Sequence, residues 1–224
     1  KIFDDKLNKG LPVRLNESVK YSSGKFYCRM DADDIMFNDR LENILNFYVN
    51  NKFNVVGSLA VSINEKNDVL GLKNIPELIN DNYKSIVLNG FFIHPTIFAE
   101  RKWFLDNPYD EKYKRAQDYE LWVRTSKENK FGVLNKALLF YRELSSNDFE
   151  KYFRAYIANL QTINLHKGKI DFSLRLKFYV LSFLKICYHW LNFKANFFKN
   201  KKGIQLSKID KDLYKRKLNI SING

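Results

Sequence analysis

The sequence predicts an α/β fold, a mostly parallel sheet flanked by helices, followed by a helical and basic C-terminal region. Three observations carry this. Short apolar stretches of strand character alternate with segments of helical periodicity through about residue 143. From Phe149 onward the strand signals fade. The charge divides in the same way. Residues 1–150 balance 22 Lys+Arg against 22 Asp+Glu, whereas residues 151–224 hold 16 Lys+Arg against Asp171, Asp210 and Asp212, so the whole net charge of +13 sits in the last third. The expected organisation is a neutral working domain, residues 1–148, and a basic attachment region, residues 149–224.

Taken in order, Asn8-Lys9-Gly10-Leu11-Pro12 reads as a turn or loop, and Leu15–Tyr21 as a short helical stretch stopped by Ser22-Ser23-Gly24. Lys25–Met30 has the apolar character of a buried strand and runs straight into Asp31-Ala32-Asp33-Asp34. Asn38 suits an N-cap for the next helix, in which Leu41, Ile44, Leu45 and Tyr48 fall at i, i+3, i+4 and i+7. Val55–Ile63 is β-rich, and Asn64–Asp68 turns into a second short strand near Val69-Leu70. Pro76 opens a helix to about Leu88, stopped by Asn89-Gly90. Phe91–Phe98 reads as a strand interrupted at His94-Pro95, Gln117–Asn129 as a helix and Gly132–Tyr141 as a strand.

Leu174–Lys199 is the clearest amphipathic helix. Ser182, Lys185, His189, Asn192, Asn196 and Lys199 draw one polar stripe, opposite Tyr179, Phe183, Ile186, Trp190, Phe193 and Phe197. Its longest uncharged stretch, Phe178–Leu184, is seven residues, too short to span a bilayer. The aromatic face suits two uses: a cap on the core, or a surface lying on an anionic membrane through residues 171–202. The two cysteines, Cys28 and Cys187, offer neither a disulfide scaffold nor zinc spacing, so a reducing compartment is expected.

Three carboxylates within four residues at the end of a strand repel one another. A divalent cation bound through one or two of them, its other positions filled by phosphate oxygens and water, relieves that repulsion. Ligands of open α/β sheets bind beyond the carboxyl ends of strands, where this cluster falls. A helix-capping loop accounts equally for the bare spacing.

The residues around the cluster narrow the choice. Gly24 through Asp34, followed by Arg40-Leu41-Glu42, resembles the central segment of family 2 glycosyltransferases with the GT-A, Rossmann-like fold. A second block agrees in order and spacing: His94-Pro95-Thr96, Tyr109-Asp110-Glu111, Gln117-Asp118-Tyr119-Glu120-Leu121-Trp122-Val123-Arg124 and Tyr141-Arg142. The resemblance covers roughly residues 8–145. It implies transfer of a sugar from a nucleotide-sugar donor to a saccharide or lipid-linked acceptor, in surface polysaccharide biosynthesis at the cytoplasmic face of a membrane. Asp33 matches the aspartate that ligates Mn²⁺ or Mg²⁺, and Asp31 the one that holds the donor's ribose or shares the metal shell. Asp34 is the third acid of that loop, and Arg29 faces either the donor diphosphate or the acidic loop. Asp118 matches the general base of inverting members, which takes a proton from the acceptor hydroxyl as that oxygen attacks the anomeric carbon. A helix N-cap or first-turn acid is the alternative use of that residue. His94 and Trp122 fall on the acceptor side; His94 equally suits packing, and Trp122 suits the core better than a sugar platform. Arg142 faces either the diphosphate or the acidic loop.

Two departures from the family pattern stand out. Gln117 replaces the usual Glu before the base. Only 30 residues precede Asp31, too few for the strand, helix and Pro-x-Tyr-Asn-type loop that bind the nucleotide base, so the chain is expected to lack that N-terminal segment, and an inactive remnant is the competing reading. A basic nucleic-acid binder is disfavoured, for the sequence has no RNP, zinc-finger or KH motif. His94, His166 and His189 are too scattered for a zinc hydrolase.

Overall fold

A computed structural model of the chain describes residues 5–73, 82–90, 92–143, 149–195 and 204–223. Helix α1 (Leu11–Tyr21) follows Gly10, whose φ of 82° is a left-handed turn into Pro12, and it buries Leu15 and Val19. Strand β1 (Phe26–Cys28) leads into the acidic turn, and β2 (Ile35–Met36) leaves it for α2 (Arg40–Asn50). Then come β3 (Val55–Ile63), β4 (Val69–Leu72), α3 (Asn82–Asn89), a 3₁₀ turn at His94–Thr96, β5 (Phe98–Glu100), α4 (Arg101–Asp106), α5 (Gln117–Thr125) and β6 (Phe131–Arg142). Three helices complete the chain: α6 (Phe149–Leu165), α7 (Phe172–Ala195) and α8 (Lys208–Asn223).

The α/β class and the helical C-terminal part agree with the sequence, but the strand directions do not. The sheet runs β1-β5-β3-β6-β2, with β4 beside β3, and only the central β3–β6 pair is parallel. Every other pairing is antiparallel. The reason is local. Asn64–Asp68 reverses β3 directly into β4, with the Asn64 side-chain oxygen accepting from the Lys66 and Asp68 N–H groups, and a reversal that short can join only antiparallel neighbours. Strands of two or three residues at β1, β2 and β5 border the long central pair without crossover helices of their own. Along β3–β6 the register shifts twice, between Ser58 and Leu59 and between Leu59 and Ala60.

Strand β3 is buried on both faces, as its near-continuous apolar run requires. Val55, Ile86, Ile97, Leu121, Trp122 and Phe131 form the centre of the largest core, to which Ile163 of α6 and Leu174 and Phe178 of α7 also belong. The C-terminal helices thus complete the same core as the sheet. Helix α8 covers the other end, packing Leu218 and Tyr214 beside Phe37 and Val61.

Helix α7 presents its aromatic face partly outward: Tyr179 packs against the core and Ile186 is half-buried, but the rings beyond them are exposed. Ser182 is buried and His189 half-buried, while Phe183 is 62% exposed and Trp190 43%. Leu176, Val180, Leu184 and Leu191 are exposed beside them. Leu174 and Phe178 dock the N-terminal half of the helix, and the polar stripe beyond them turns inward because the wall it meets is the cavity described below, not core. The side chains of Asn192 and Phe193, residues 196–203 and the Pro76 start of the third helix lie outside the described residues. The interrupted strand at Phe91–Phe98 is instead a 3₁₀ turn followed by β5; Phe91 itself is not described. Among the described residues, no helix is long and apolar enough to cross a membrane.

Candidate active site

A cavity of about 660 Å³ opens at the ends of β1 and α5. Arg29, Asp31, His94 and Asp118 border it on one side, and Tyr156, Asn159, Lys185 and His189 of α6 and α7 on the other. The two sequence blocks, separated by some sixty residues, therefore meet at one opening.

Arg29 is buried, and its guanidinium pairs with the half-buried Asp31 at 2.6 Å. Its Nε and Nη1 have no hydrogen-bond partner. Asp33 is exposed on the turn and lies outside the cavity lining. The Asp34 carboxylate points inward and accepts the Arg142 backbone N–H at 2.9 Å, which ties the turn to β6. Its other oxygen is buried without a partner, and burial pushes its carboxyl up to about 6. Asp34 is therefore a loop anchor and not a donor-contacting residue: with 6% exposure it offers a ligand nothing to touch. Arg142 settles on the loop as well, donating to the carbonyls of Asp33 and Asn64 at 2.8 and 2.6 Å.

Asp118 stands in the first turn of α5, where the helix N-terminus favours a negative charge. Its side chain is 32% exposed, and its Oδ2 lies 3.8 Å from His94 Nδ1. Loss of solvent raises its carboxyl above the ordinary range. His94 Nε2 shares a 2.8 Å hydrogen bond with the Tyr109 hydroxyl. Burial and the nearby Arg29 hold the imidazole well below its usual value, so it is neutral. Tyr109 is held in turn by α1: its N–H donates to Asn16 Oδ1 at 2.9 Å, and Asn16 Nδ2 donates to its carbonyl at 3.0 Å. Ala116, immediately before α5, adopts φ 54°, a left-handed conformation that L side chains rarely take.

Trp122 is corrected by the structure. It is 1% exposed, among Trp103, Phe92 and Phe131, and cannot meet an acceptor.

Two features escaped the sequence reading. Arg40 is 1% exposed, and its Nη2 donates to the carbonyls of Arg29 at 2.6 Å and Pro95 at 2.8 Å, so one side chain clamps both blocks. Buried Glu120 accepts from Arg124 at 2.8 Å and meets His166, just past the end of α6, at 3.1 Å. For Glu120 the available signal was a charge inside an otherwise apolar helix face.

Carboxylate oxygens of Asp31 and Asp33 are donors of the kind Mg²⁺ and Mn²⁺ take. Among the described residues no three His, Cys, Asp or Glu side chains converge as a metal-holding group.

The profile described as Glycosyl transferase family 2 matches residues 1–130. The chain is 26% identical over 189 residues to an uncharacterized glycosyltransferase of Methanocaldococcus jannaschii, covering 80% of this chain and 63% of that one. Over 162 residues it is 26% identical to the Escherichia coli UDP-Glc:alpha-D-GlcNAc-diphosphoundecaprenol beta-1,3-glucosyltransferase WfgD, covering 70% and 62%. The chain thus spans less than two thirds of the length of these relatives. S. aureus TarS superposes with a TM-score of 0.51 at 16% identity, covering 98% of this chain and 37% of that structure, a likeness of fold.

Proposed function

The chain belongs to glycosyl transferase family 2, and we propose that it moves a sugar from a nucleotide-sugar donor to a saccharide or lipid-linked acceptor with inversion. The observation that carries this reading is the meeting of Asp118 with the Arg29–Asp31 pair at one cavity. Asp118 is the base: its carboxylate takes the acceptor hydroxyl proton as that oxygen attacks the anomeric carbon, and the nucleoside diphosphate leaves. Neutral His94, fixed by Tyr109, keeps that carboxylate aimed into the cavity. Arg29 borders the cavity beside Asp31, and its positive charge favours a diphosphate bound there. Asp33 and Asp31 would hold Mn²⁺ or Mg²⁺ together with the diphosphate, and the ion would neutralise the charge of the leaving group.

The outward apolar face of α7, with the +13 surplus around it, supports attachment to an anionic membrane surface, consistent with surface polysaccharide synthesis at the cytoplasmic face. The test of the transferase reading is a screen of nucleotide sugars with Mn²⁺ on the full chain, beside Asp33→Asn and Asp118→Asn. Transfer that both substitutions abolish supports it. Undiminished transfer by Asp118→Asn removes the base, and with it the inverting mechanism.

A further inference from the structure

A second cleft, of about 540 Å³, lies between the loop before α5 and the outer side of α6. Lys112, Lys114 and Arg115 border it from the loop and Arg154 from the helix, and no carboxylate is among its lining residues. Arg154 is engaged by Glu150 one turn earlier. The side chains of Lys112, Lys114 and Arg115 form no ion pair among the described residues. This concentration of positive charge is local, because residues 1–150 are neutral as a whole. Between the cations stand a half-buried aromatic ring, Tyr113, an exposed one, Phe153, and the amide of Gln161.

The cleft adjoins the cavity that holds Asp118: Phe153 borders both, and the consecutive residues Arg115 and Ala116 border one each. Phe149, Phe153 and Tyr156, spaced i, i+4 and i+7 on α6, all line the cavity. The Phe149 and Phe153 rings lie 6.0 Å apart at 22°.

We propose that this second cleft is a subsite for the trailing portion of a negatively charged saccharide acceptor whose reacting end occupies the Asp118 cavity. The proposal rests on the glycosyltransferase reading for the identity of the reacting end. Apolar ring faces accommodate the faces of sugar rings, an amide pairs with hydroxyls, and Lys and Arg pair with carboxylate or phosphate. A membrane surface fits less well, since a flat layer of headgroups does not enter a concave cleft, and the exposed apolar face suited to lipid belongs to a different helix, α7.

The test reads binding, not turnover. Titration calorimetry of the full chain at low salt compares tetragalacturonate, a glycerol phosphate tetramer and neutral maltotetraose, with phosphatidylglycerol vesicles as a fourth probe. At least one anionic tetramer binds about tenfold or more tighter than maltotetraose, which identifies the carboxylate or the phosphate as the group recognised. The exposed pair Lys114→Ala/Arg115→Ala loses that preference and keeps its vesicle binding, and Asp118→Asn retains the preference. Equal binding of charged and neutral tetramers, or an unchanged preference in the double variant, overturns the subsite. A double variant that loses only vesicle binding also overturns it and assigns these cations to the membrane. Retained anion preference with no transfer from any donor counts against the transferase reading alone.

Discussion

Arg40 and Pro95, far apart in sequence and on different motif blocks, are joined by a 2.8 Å hydrogen bond from the buried guanidinium to the proline carbonyl. The same nitrogen also reaches the Arg29 carbonyl. The distance between the acidic turn and the His94 turn is thus set by a residue that touches no solvent. Arg40→Met leaves two buried carbonyls unpaired and is expected to destabilise the chain by about 3 kcal/mol. Urea denaturation measures this, with Arg40→Lys falling between the two because an ammonium lacks the planar guanidinium's fork.

Asp118→Asn removes the proposed base without changing its shape. Transfer falls by about 10²–10⁴-fold while nucleotide binding stays within a few-fold. The pH profile carries the sign. The base works as a carboxylate and desolvation raises its pKa, so kcat/KM falls on acidification at a pH above the ordinary carboxylate range. An acid limb within the ordinary range would contradict the buried setting of this residue.

Tyr109→Phe deletes the hydroxyl that meets His94 Nε2 at 2.8 Å. Stability falls by about 1 kcal/mol. If His94 positions the base, kcat drops several-fold while KM for the donor holds, a split that steady-state kinetics resolves.

The Glu120–Arg124–His166 cluster fastens α5 to the end of α6. Glu120 is almost fully buried, so Glu120→Ala strands His166 and is expected to cost about 3–5 kcal/mol. Thermal or urea unfolding reports this, and a loss below about 1 kcal/mol would mean that the cluster is spectator to the packing.

Surface attachment is best examined with Phe183→Ser/Trp190→Ser. Both side chains are exposed, so the melting temperature should hold while affinity for anionic vesicles drops by about tenfold or more. Removal of residues 171–224 is a poorer test, because Leu174 and Phe178 belong to the main core and their loss would unfold it.

Much of this was legible in the residues. Continuous apolar character gave β3, and the end of the Phe26–Cys28 strand located the acidic turn. What escaped was long-range. Arg40 was legible only as part of the Arg40-Leu41-Glu42 match, because nothing local reveals that two carbonyls from other segments wait for it. The facing of α7 was left open for a related reason. Amphipathicity separates two faces but does not say which meets protein, and a cavity wall takes the polar one. Trp122, read as better suited to core packing than to a sugar platform, is indeed buried.

The register shifts along β6 have a consequence for length variation. Ser58 faces Leu134 and Leu59 faces Ala137, so Asn135 and Lys136 are supernumerary, and Leu138 is a further extra residue before Leu139 meets Ala60. Leu139 through Arg142 therefore owe the direction of their side chains to a count of residues upstream, not to their own chemistry. Excising both Asn135 and Lys136 preserves the parity of that segment. Excising one inverts it, swinging Arg142 from the acidic turn and re-aiming the buried side chains Leu139 and Phe140. Insertions and deletions here should consequently be tolerated in twos and rejected singly, a rule of arithmetic imposed on the gene by a kink in a strand.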